Sequence, residues 1–477
     1  MPGARISGRF IPRLDELRTM VRLALPVVIV QVGMMFMGVV DTIMVGHVSS
    51  VGLAAVALGN LYFFGIGVLG MGTLMVLDPV VAQAVGARDE PAVARGIQRG
   101  VLLAAILAVP LIGVLLAAEP VLALARQPAE VVPLAVGYTV RMAPGVFPFF
   151  VFIVFRQSLQ SMRRTAPIVT AIVVANLANG FLNWLLIFGH GPFPPLGVIG
   201  SAWATTVSRW LLAAILLWLG WRDLWPYLRQ RRPEVWQLAP LGRMLRLGLP
   251  IGIQFVLEFG AFALVALMMG WLGTRQMAGH QIAINLASLT FMVPLGVGDA
   301  ASVLVGQAVG REDPAGARSA ARSALAAGAG FMACTASIFL TLPFHLAGLY
   351  TSETAVIAIA AMLIPLAGVF QVFDGLQVVA GGILRGLGET RVAMMVNVLG
   401  YWLLGLPVSW LLGFRLGWGP VGLWWGLVLG LGVVATVLLV RVRIALGRQQ
   451  ARVIIDHGPR HAESEPWRVL PPSTAGD

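Results

Sequence analysis

The sequence predicts an all-α polytopic membrane protein, with about twelve transmembrane helices in two pseudo-symmetric six-helix lobes, and three observations carry that prediction. The first is composition: of 477 residues, 58% are hydrophobic and 11% charged, with mean hydropathy +0.86, far more apolar surface than a soluble core uses. The second is that the apolar residues fall into runs of about 20 or more, each enough to cross roughly 30 Å of hydrocarbon. The third is an internal repeat at a nearly constant offset.

The runs lie at about 20–46, 52–84, 97–118, 132–155, 166–189, 197–221, 244–271, 278–308, 318–343, 354–380, 392–414 and 419–441. Lipid offers no hydrogen-bond partner to the backbone, so each should be helical, and none shows the short alternating pattern of barrel strands. Span one carries LALP at 23–26 and an acid, Asp41; span two ends with Asp78 and QAVG at 83–86. Span five holds Asn176, Asn179 and Asn183 on one helical face, and span six opens with GVIGSAW at 197–203. Span seven carries LGLP at 247–250 near its start, then Gln254 and Glu258. Span eight offers Gln281, Asn285 and Ser288, then Asp299 and a second QAVG at 307–310. Span nine holds Cys334. Span ten puts Gln371, Asp374 and Gln377 on one face, and span twelve opens with GPVGLWW at 419–425.

LALP to LGLP, QAVG to QAVG and GVIGSAW to GPVGLWW are separated by 224, 224 and 222 residues. Three matches at one offset mean that six spans were used twice. Six is even, so both copies enter the membrane in the same direction and are related by an axis along the membrane normal. The expected division is an N-lobe at 1–221, an inter-lobe loop at 222–243, a C-lobe at 244–446 and a flexible tail at 447–477.

The net charge of +12 reflects topology, not nucleic acid. Every one of the 33 basic side chains is an arginine. Arg5, Arg9, Arg13, Arg18 and Arg22 precede span one, and Arg222, Arg229, Arg231, Arg232, Arg243 and Arg246 lie in or beside the inter-lobe loop. Arg88, Arg95, Arg99, Arg163, Arg164, Arg311, Arg318, Arg385 and Arg391 fall near the other even-to-odd connections. The opposite connections hold little beyond Arg126, Arg275 and Arg415. The positive-inside rule then makes both termini and the central loop cytoplasmic. The N-terminus has no small-residue cleavage site after a short apolar core, so its first run reads as span one itself.

Five acids sit inside the spans: Asp41, Asp78, Glu258, Asp299 and Asp374. A carboxylate at a helix centre costs about 2.5–3.5 kcal/mol even on the lenient insertion scale, so each should face the bundle interior. Together with the amide stripes they predict a wet, cation-attracting cavity, where a carboxylate can take a proton or, with enough oxygen ligands, sodium. Arg141 and Arg209 are the intramembrane cations, read as partners of these acids.

Enzyme readings fail on residue identity. PLGVGD at 294–299 contains G-x-G-D, but none of Tyr62, Tyr138, Tyr227, Tyr350 and Tyr401 precedes the second aspartate an intramembrane aspartyl protease needs. None of His47, His190, His280, His345, His457 and His461 begins H-E-x-x-H. The single cysteine excludes an internal disulfide and a cysteine cluster on a metal. A chain without lysine has no phosphate-binding loop, so transport would draw on an ion gradient.

The residues resemble the multidrug and toxic compound extrusion (MATE) antiporters, in particular their bacterial NorM-like branch. VDTIMVGHVS at 40–49, PVVAQAVGARD at 79–89, LNWLLIFG at 182–189, the AT pair at 204–205, AGHQIAINLASLTFMVPLGVG at 278–298 and VVAGGILRGLGET at 378–390 carry the likeness. The resemblance implies a bacterial inner-membrane exporter of small lipophilic cations, exchanged for protons or sodium by alternating access. It implies no enzyme activity, no cofactor beyond the coupling ion, no nucleic acid, and a monomer in the bilayer.

By the same resemblance, Asp41, Asn179, Asn183 and Thr205 form an N-lobe cation network, and Glu258 and Asp374 a C-lobe pair. Sodium would sit at Glu258/Asp374 or at Asp41/Asn179. The drug cavity would be lined by Gln254, Gln281, Asn285, Ser288, Met292, Phe370, Gln371, Asp299 and Asp78. Phe370 stands where some sodium-coupled relatives have tyrosine, Leu304 replaces a common arginine, and Asp78 and Asp299 are unusual acids. The rival readings are a flippase for a lipid-linked saccharide, which wants a basic cavity for a diphosphate, and a non-transporting scaffold or receptor.

Overall fold

The computed structural model describes residues 14–124, 130–230, 232–448 and 450–456. Arg5, Arg9, Arg13, Arg126, Arg231, His457, His461 and the tail from 457 onward lie outside the described residues. Among the described residues, twelve helices are long and apolar enough to cross a membrane. They are α1 (Leu14–Gly46), α2 (Ser50–Gly86), α3 (Glu90–Leu116), α4 (Val132–Ser161), α5 (Ala166–Phe188), α6 (Val198–Leu219), α7 (Leu238–Leu272), α8 (Thr274–Gly310), α9 (Pro314–Thr341), α10 (Thr354–Leu387), α11 (Thr390–Arg415) and α12 (Gly419–Gly447). Each coincides with one run read from the sequence. Several continue past the apolar stretch, and two of these extensions place Arg156 at the end of α4 and Arg385 at the end of α10.

The offset of 224 recurs in local detail. Asp89 accepts from the Ala92 amide at the start of α3, and Asp313 from the Gly316 amide at the start of α9, each followed by a proline in the first turn. The turns before these helices pass through left-handed backbone at Arg88 (φ 57°) and Glu312 (φ 56°). The same device recurs at Arg163 (φ 59°) and Gly388 (φ 82°), between α4 and α5 and between α10 and α11. Pro26 in α1 matches Pro250 in α7.

The buried apolar side chains form two clusters, one drawn mainly from α1–α6 and one from α7–α12. They exchange one segment each. Met20, Leu23 and Ala24 of α1 pack into the second cluster, while Leu241 and Met244 of α7 pack into the first. Met20 and Met244 are 224 residues apart, so the exchange is itself symmetric. The outer faces are apolar, with Leu177, Trp218 and Leu403 among the most exposed side chains, as lipid contact requires.

The two halves meet most closely at the arginine-rich end, through the repeated QAVG segments. Gln83 donates to the carbonyl of Gly386 at 2.8 Å, and Gln307 donates to the carbonyl of Ser161 at 2.7 Å. A Cβ on Gly86 would fall on the Gln307 backbone, and one on Gly310 on the Gln83 backbone; glycine is what lets α2 and α8 touch main chain to main chain. The result is a symmetric clasp closing one end of the bundle.

One expectation is corrected here. A flexible end from 447 does not describe residues 450–456, which lie against the protein. Arg452 pairs with Asp89 at 2.8 Å, and Asp456 with Arg95 at 2.7 Å and Arg99 at 2.6 Å. Arg99 and Arg385, read as connection charges, are buried, at 1% and 5% exposure.

Candidate transport site

A cavity of about 430 Å³ opens between the halves, walled by α1, α2 and α4 on one side and α7, α8 and α10 on the other. These are equivalent helices of the repeat. Much of the lining is also equivalent: Gln31 and Phe255, Met34 and Glu258, Val68 and Met292, and Met71 and Leu295 all face it, and each pair is 224 residues apart. The walls are rich in Met and Phe. Two carboxylates interrupt them, Glu258 of α7 and Asp374 of α10, close enough to feel each other's charge.

The Gln377 side chain lies beside Glu258. Gln377 accepts from the Tyr401 hydroxyl at 2.8 Å. Asp374 is 6% exposed, and its Oδ1 has no hydrogen-bond partner among the described residues. A buried carboxylate oxygen left unbonded beside a second carboxylate is an acceptor for a proton, a hard cation or an organic ammonium group. Phe370 seals the wall beneath them against Phe262, with ring centroids 5.8 Å apart, and Trp424 at 5.7 Å.

In the other half, Asp41 of α1 is 2% exposed and does not line the cavity. Asn183 of α5 donates to its Oδ1 at 2.6 Å and Thr205 of α6 to its Oδ2 at 2.6 Å, while Asn183 also reaches Asn179 Oδ1 at 3.2 Å. Both carboxylate oxygens are thus bonded within the half. Asn183 Oδ1 remains without a partner, so the network leaves one amide oxygen unbonded. Among the described residues no group of three or more His, Cys, Asp or Glu is placed to hold a metal.

The remaining predicted residues divide. Ser288 and Met292 line the cavity with Glu258, Asp374 and Phe370. Gln254, Gln281, Asn285 and Gln371 do not: Gln281 is exposed, and Gln371 is buried, accepting from Thr290 at 2.7 Å. Asp78 and Asp299 are also corrected. Both are fully buried beneath the cavity, toward the clasp, where Arg385 donates to Asp299 at 2.9 Å and lies 3.8 Å from Asp78. Gln31 donates to the other oxygen of Asp299 at 3.0 Å, and Arg156 to Gln31 at 3.3 Å. This cluster joins both halves and forms the cavity floor.

Sequence reading missed Arg156, Arg385 and Tyr401. Arg156 stands one residue beyond an apolar run and carries no reading in the sequence, while Arg385, just past another run, counts among the connection charges. The signal for Tyr401 was a phenol in an apolar span, whose hydroxyl must find a partner. Arg209, as expected, lies close enough to Asp41 for their charges to interact, whereas Arg141 is paired with no acid among the described residues. Arg141 bonds the Gly137 carbonyl of its own helix at 3.0 Å, and the Arg209 guanidinium sits 3.9 Å from the Phe63 ring centroid.

Comparison with known proteins agrees with this fold. The MatE family profile matches residues 26–185 and 250–411, one segment in each half. The chain is 37% identical over 452 residues to the multidrug resistance protein PmpM of Pseudomonas aeruginosa, covering 93% of each chain. It is 35% identical over 431 residues to the multidrug resistance protein NorM of Burkholderia vietnamiensis, covering 89% of this chain and 93% of that one. Among solved structures, the eukaryotic MATE transporter AtDTX14 superposes with TM-score 0.83 at 24% identity, covering 91% of this chain and 99% of that one. An outward-facing multidrug resistance MATE family transporter gives 0.81 at 22% identity, covering 91% and 96%; both show the twelve-helix fold. A matched profile over both halves, relatives aligned nearly end to end, and a shared fold make this chain a member of the MATE family of multidrug efflux transporters, which are not enzymes.

Proposed function

We propose that this chain exports small lipophilic cations across a bacterial inner membrane in exchange for protons or sodium ions, as a monomer with both termini cytoplasmic. Residues 1–221 and 244–446 would act as two lobes rocking about the cavity. The observation that carries the reading is the Glu258–Asp374 pair, with its free carboxylate oxygen, set among Met and Phe side chains between the halves. The apolar wall takes the lipophilic body and the aromatic rings favour a cation. The carboxylates supply the charge that the coupling ion must cancel. The names of the relatives, multidrug resistance proteins, support the drug part.

The mechanism is competition. With the cavity reachable from outside, a proton or sodium ion neutralises the Glu258/Asp374 pair or enters the Asp41 network, and drug affinity falls. With the cavity reachable from the cytoplasm, the ion leaves and the drug binds. Because binding free energies are reciprocal, drug and ion must weaken each other by the same factor. The floor cluster and clasp support reading this conformation as closed to the cytoplasm. A diphosphate-flippase reading is disfavoured, because the cavity offers Arg156 against two carboxylates.

The test is displacement of a fluorescent lipophilic cation from purified protein in nanodiscs, titrated with sodium at fixed pH and with protons at zero sodium. One of the two ions should release the probe; if neither does, the competition reading is wrong. Efflux from proteoliposomes under a sodium gradient and under a pH gradient then names the coupling ion.

A further inference from the structure

We propose that residues Arg452–Asp456 are a latch on the cytoplasmic clasp, which must lift before the cavity can open to the cytoplasm. The segment spans both halves. On the first, Arg452 pairs with Asp89 at 2.8 Å, and Asp456 with Arg95 and Arg99 at 2.7 and 2.6 Å. Ile455 is 7% exposed and belongs to the apolar cluster of α1–α6. At the start of α7, Arg243 donates to the carbonyls of Ile455 and Asp456 at 2.6 and 3.0 Å. On the second half, Val453 packs over Gly388.

Two details tie the segment to the clasp itself. The Val453 amide donates to Gln83 Oε1 at 2.7 Å while the same side chain donates its Nε2 hydrogen to Gly386 across the interface. The latch thus completes the hydrogen bonding of one clasp glutamine and fixes its orientation; Gln307, its equivalent, reaches Ser161 without such a contact from the segment. The second detail is Gly388. Of the four equivalent left-handed turns, three carry Arg88, Arg163 and Glu312 despite the unfavourable backbone. The fourth carries glycine, where a Cβ would strike Val453. A site is left open for the latch where the scaffold does not otherwise require one.

Charge keeps the latch engaged at neutral pH. Burial would raise the Asp456 carboxyl, but hydrogen bonding and charge from Arg99, with Arg95, outweigh it and hold it below the ordinary carboxylate value. Asp89 is likewise held low, with the Ala92 amide and Arg452 overcoming its burial. For a carboxylate depressed on folding, the stabilisation is fully present above its ordinary pKa and is lost only as pH falls through the depressed value. A change of pH near neutrality therefore does not release the latch.

The direction of the proposal rests on the cytoplasmic placement of this end, so the test reads distance and needs no drug or gradient. In a Cys334→Ala background, nitroxide labels at Arg163→Cys and Arg311→Cys, beside the Gln307–Ser161 pair, report separation of the two halves by pulsed electron resonance. Replacing Arg452–Asp456 by Gly-Ser-Gly-Ser-Gly should raise the separated population about tenfold. Asp456→Asn, a milder change that keeps the backbone contacts, should raise it about threefold. A distribution unchanged in both variants would overturn the latch, and so would a change confined to Asp456→Asn. Loss of drug export with an unchanged distribution would count against the latch and leave the export reading standing.

Discussion

The two halves of this transporter carry their acids at non-equivalent places, and the neighbours of each acid explain why. Glu258 faces the cavity where its counterpart, Met34, also faces it. Asp41 lies inside its half where its counterpart, Val265, is fully buried apolar core. The scaffold is thus duplicated down to its clasp, while the polar chemistry is not. Asp41 is a saturated carboxylate, held by Asn183 and Thr205; Asp374 is an unsaturated one, with a free oxygen at the cavity between the halves. A saturated site resists a large ligand and admits only a small ion with local rearrangement. An unsaturated one in a cavity can meet either.

The comparison breaks first at Glu258 and Asp374. Glu258→Gln and Asp374→Asn should each cut export of a fluorescent lipophilic cation from everted vesicles by about tenfold or more, since a neutral amide can neither release a proton nor pair with a cation. Normal export in both would remove the cavity pair from the mechanism. The sharper form moves the acid: Met34→Glu with Glu258→Met keeps one carboxylate in the cavity at the equivalent position. Export should stay at the Glu258→Met level, because the Gln377–Tyr401 support stands on the other side. Rescue would show that any cavity carboxylate suffices and that the asymmetry is incidental.

Asp41→Asn should act on stability as well as transport. Its new NH2 must face either the Asn183 amide, which cannot flip to accept without losing its bond to Asn179, or the Thr205 hydroxyl, which can accept but then gives up the acceptor for its own hydrogen. An unmade buried hydrogen bond costs about 1–3 kcal/mol, so thermal unfolding in detergent should move down by several degrees. Glu258→Gln should leave it near wild type. Equal shifts in the two variants would erase the distinction between saturated and unsaturated acid.

The clasp offers a finer contrast, because it is symmetric except for the latch. Gln307→Ala removes one hydrogen bond between the halves; Gln83→Ala removes one and also undocks Val453. At about 1 kcal/mol per bond, the separated population at the Arg163/Arg311 labels should rise roughly fivefold in the first variant and more in the second. Equal responses would place the latch outside the closing energetics.

How much of this was legible in the sequence follows from what each signal depends on. Span number, helix identity and the repeat depend on local composition and offset, so they read directly. Glu258, Asp374 and Asp41 stood out because an acid in an apolar run is costly wherever its partner lies. Asp78 and Asp299 were just as visible, yet their surroundings depended on Arg385 and Gln31, which are remote in sequence. An arginine at the end of a span reads as a loop charge until the helix is seen to continue. Residues 452–456 were opaque for the same reason: a polar stretch without periodicity reads as tail, and only partners as distant as Gln83 and Arg99 make it structure.

The smallest expected effect tests whether the C-half pair depends on its support. Tyr401 sits 1% exposed in a π-helical stretch of α11 at Val398–Gly405, a widened turn of the kind that accompanies functional positions. Its hydroxyl holds the Gln377 carbonyl, and the Gln377 side chain lies beside Glu258. Without the hydroxyl, as in Tyr401→Phe, Gln377 is free to turn, and its oxygen then opposes the Glu258 carboxylate. The loss is one neutral hydrogen bond, about 1 kcal/mol, or roughly a fivefold change in the ion concentration that half-displaces the fluorescent cation. Maximal export at saturating ion should stay close to wild type, because both carboxylates remain. A fall in maximal export with unchanged half-displacement would mean that Tyr401 braces α11 and not Glu258. The equivalent loss in the other half, Thr205→Val, removes a bond made directly to its acid, and should therefore shift the ion response more than Tyr401→Phe if Asp41 also carries the ion.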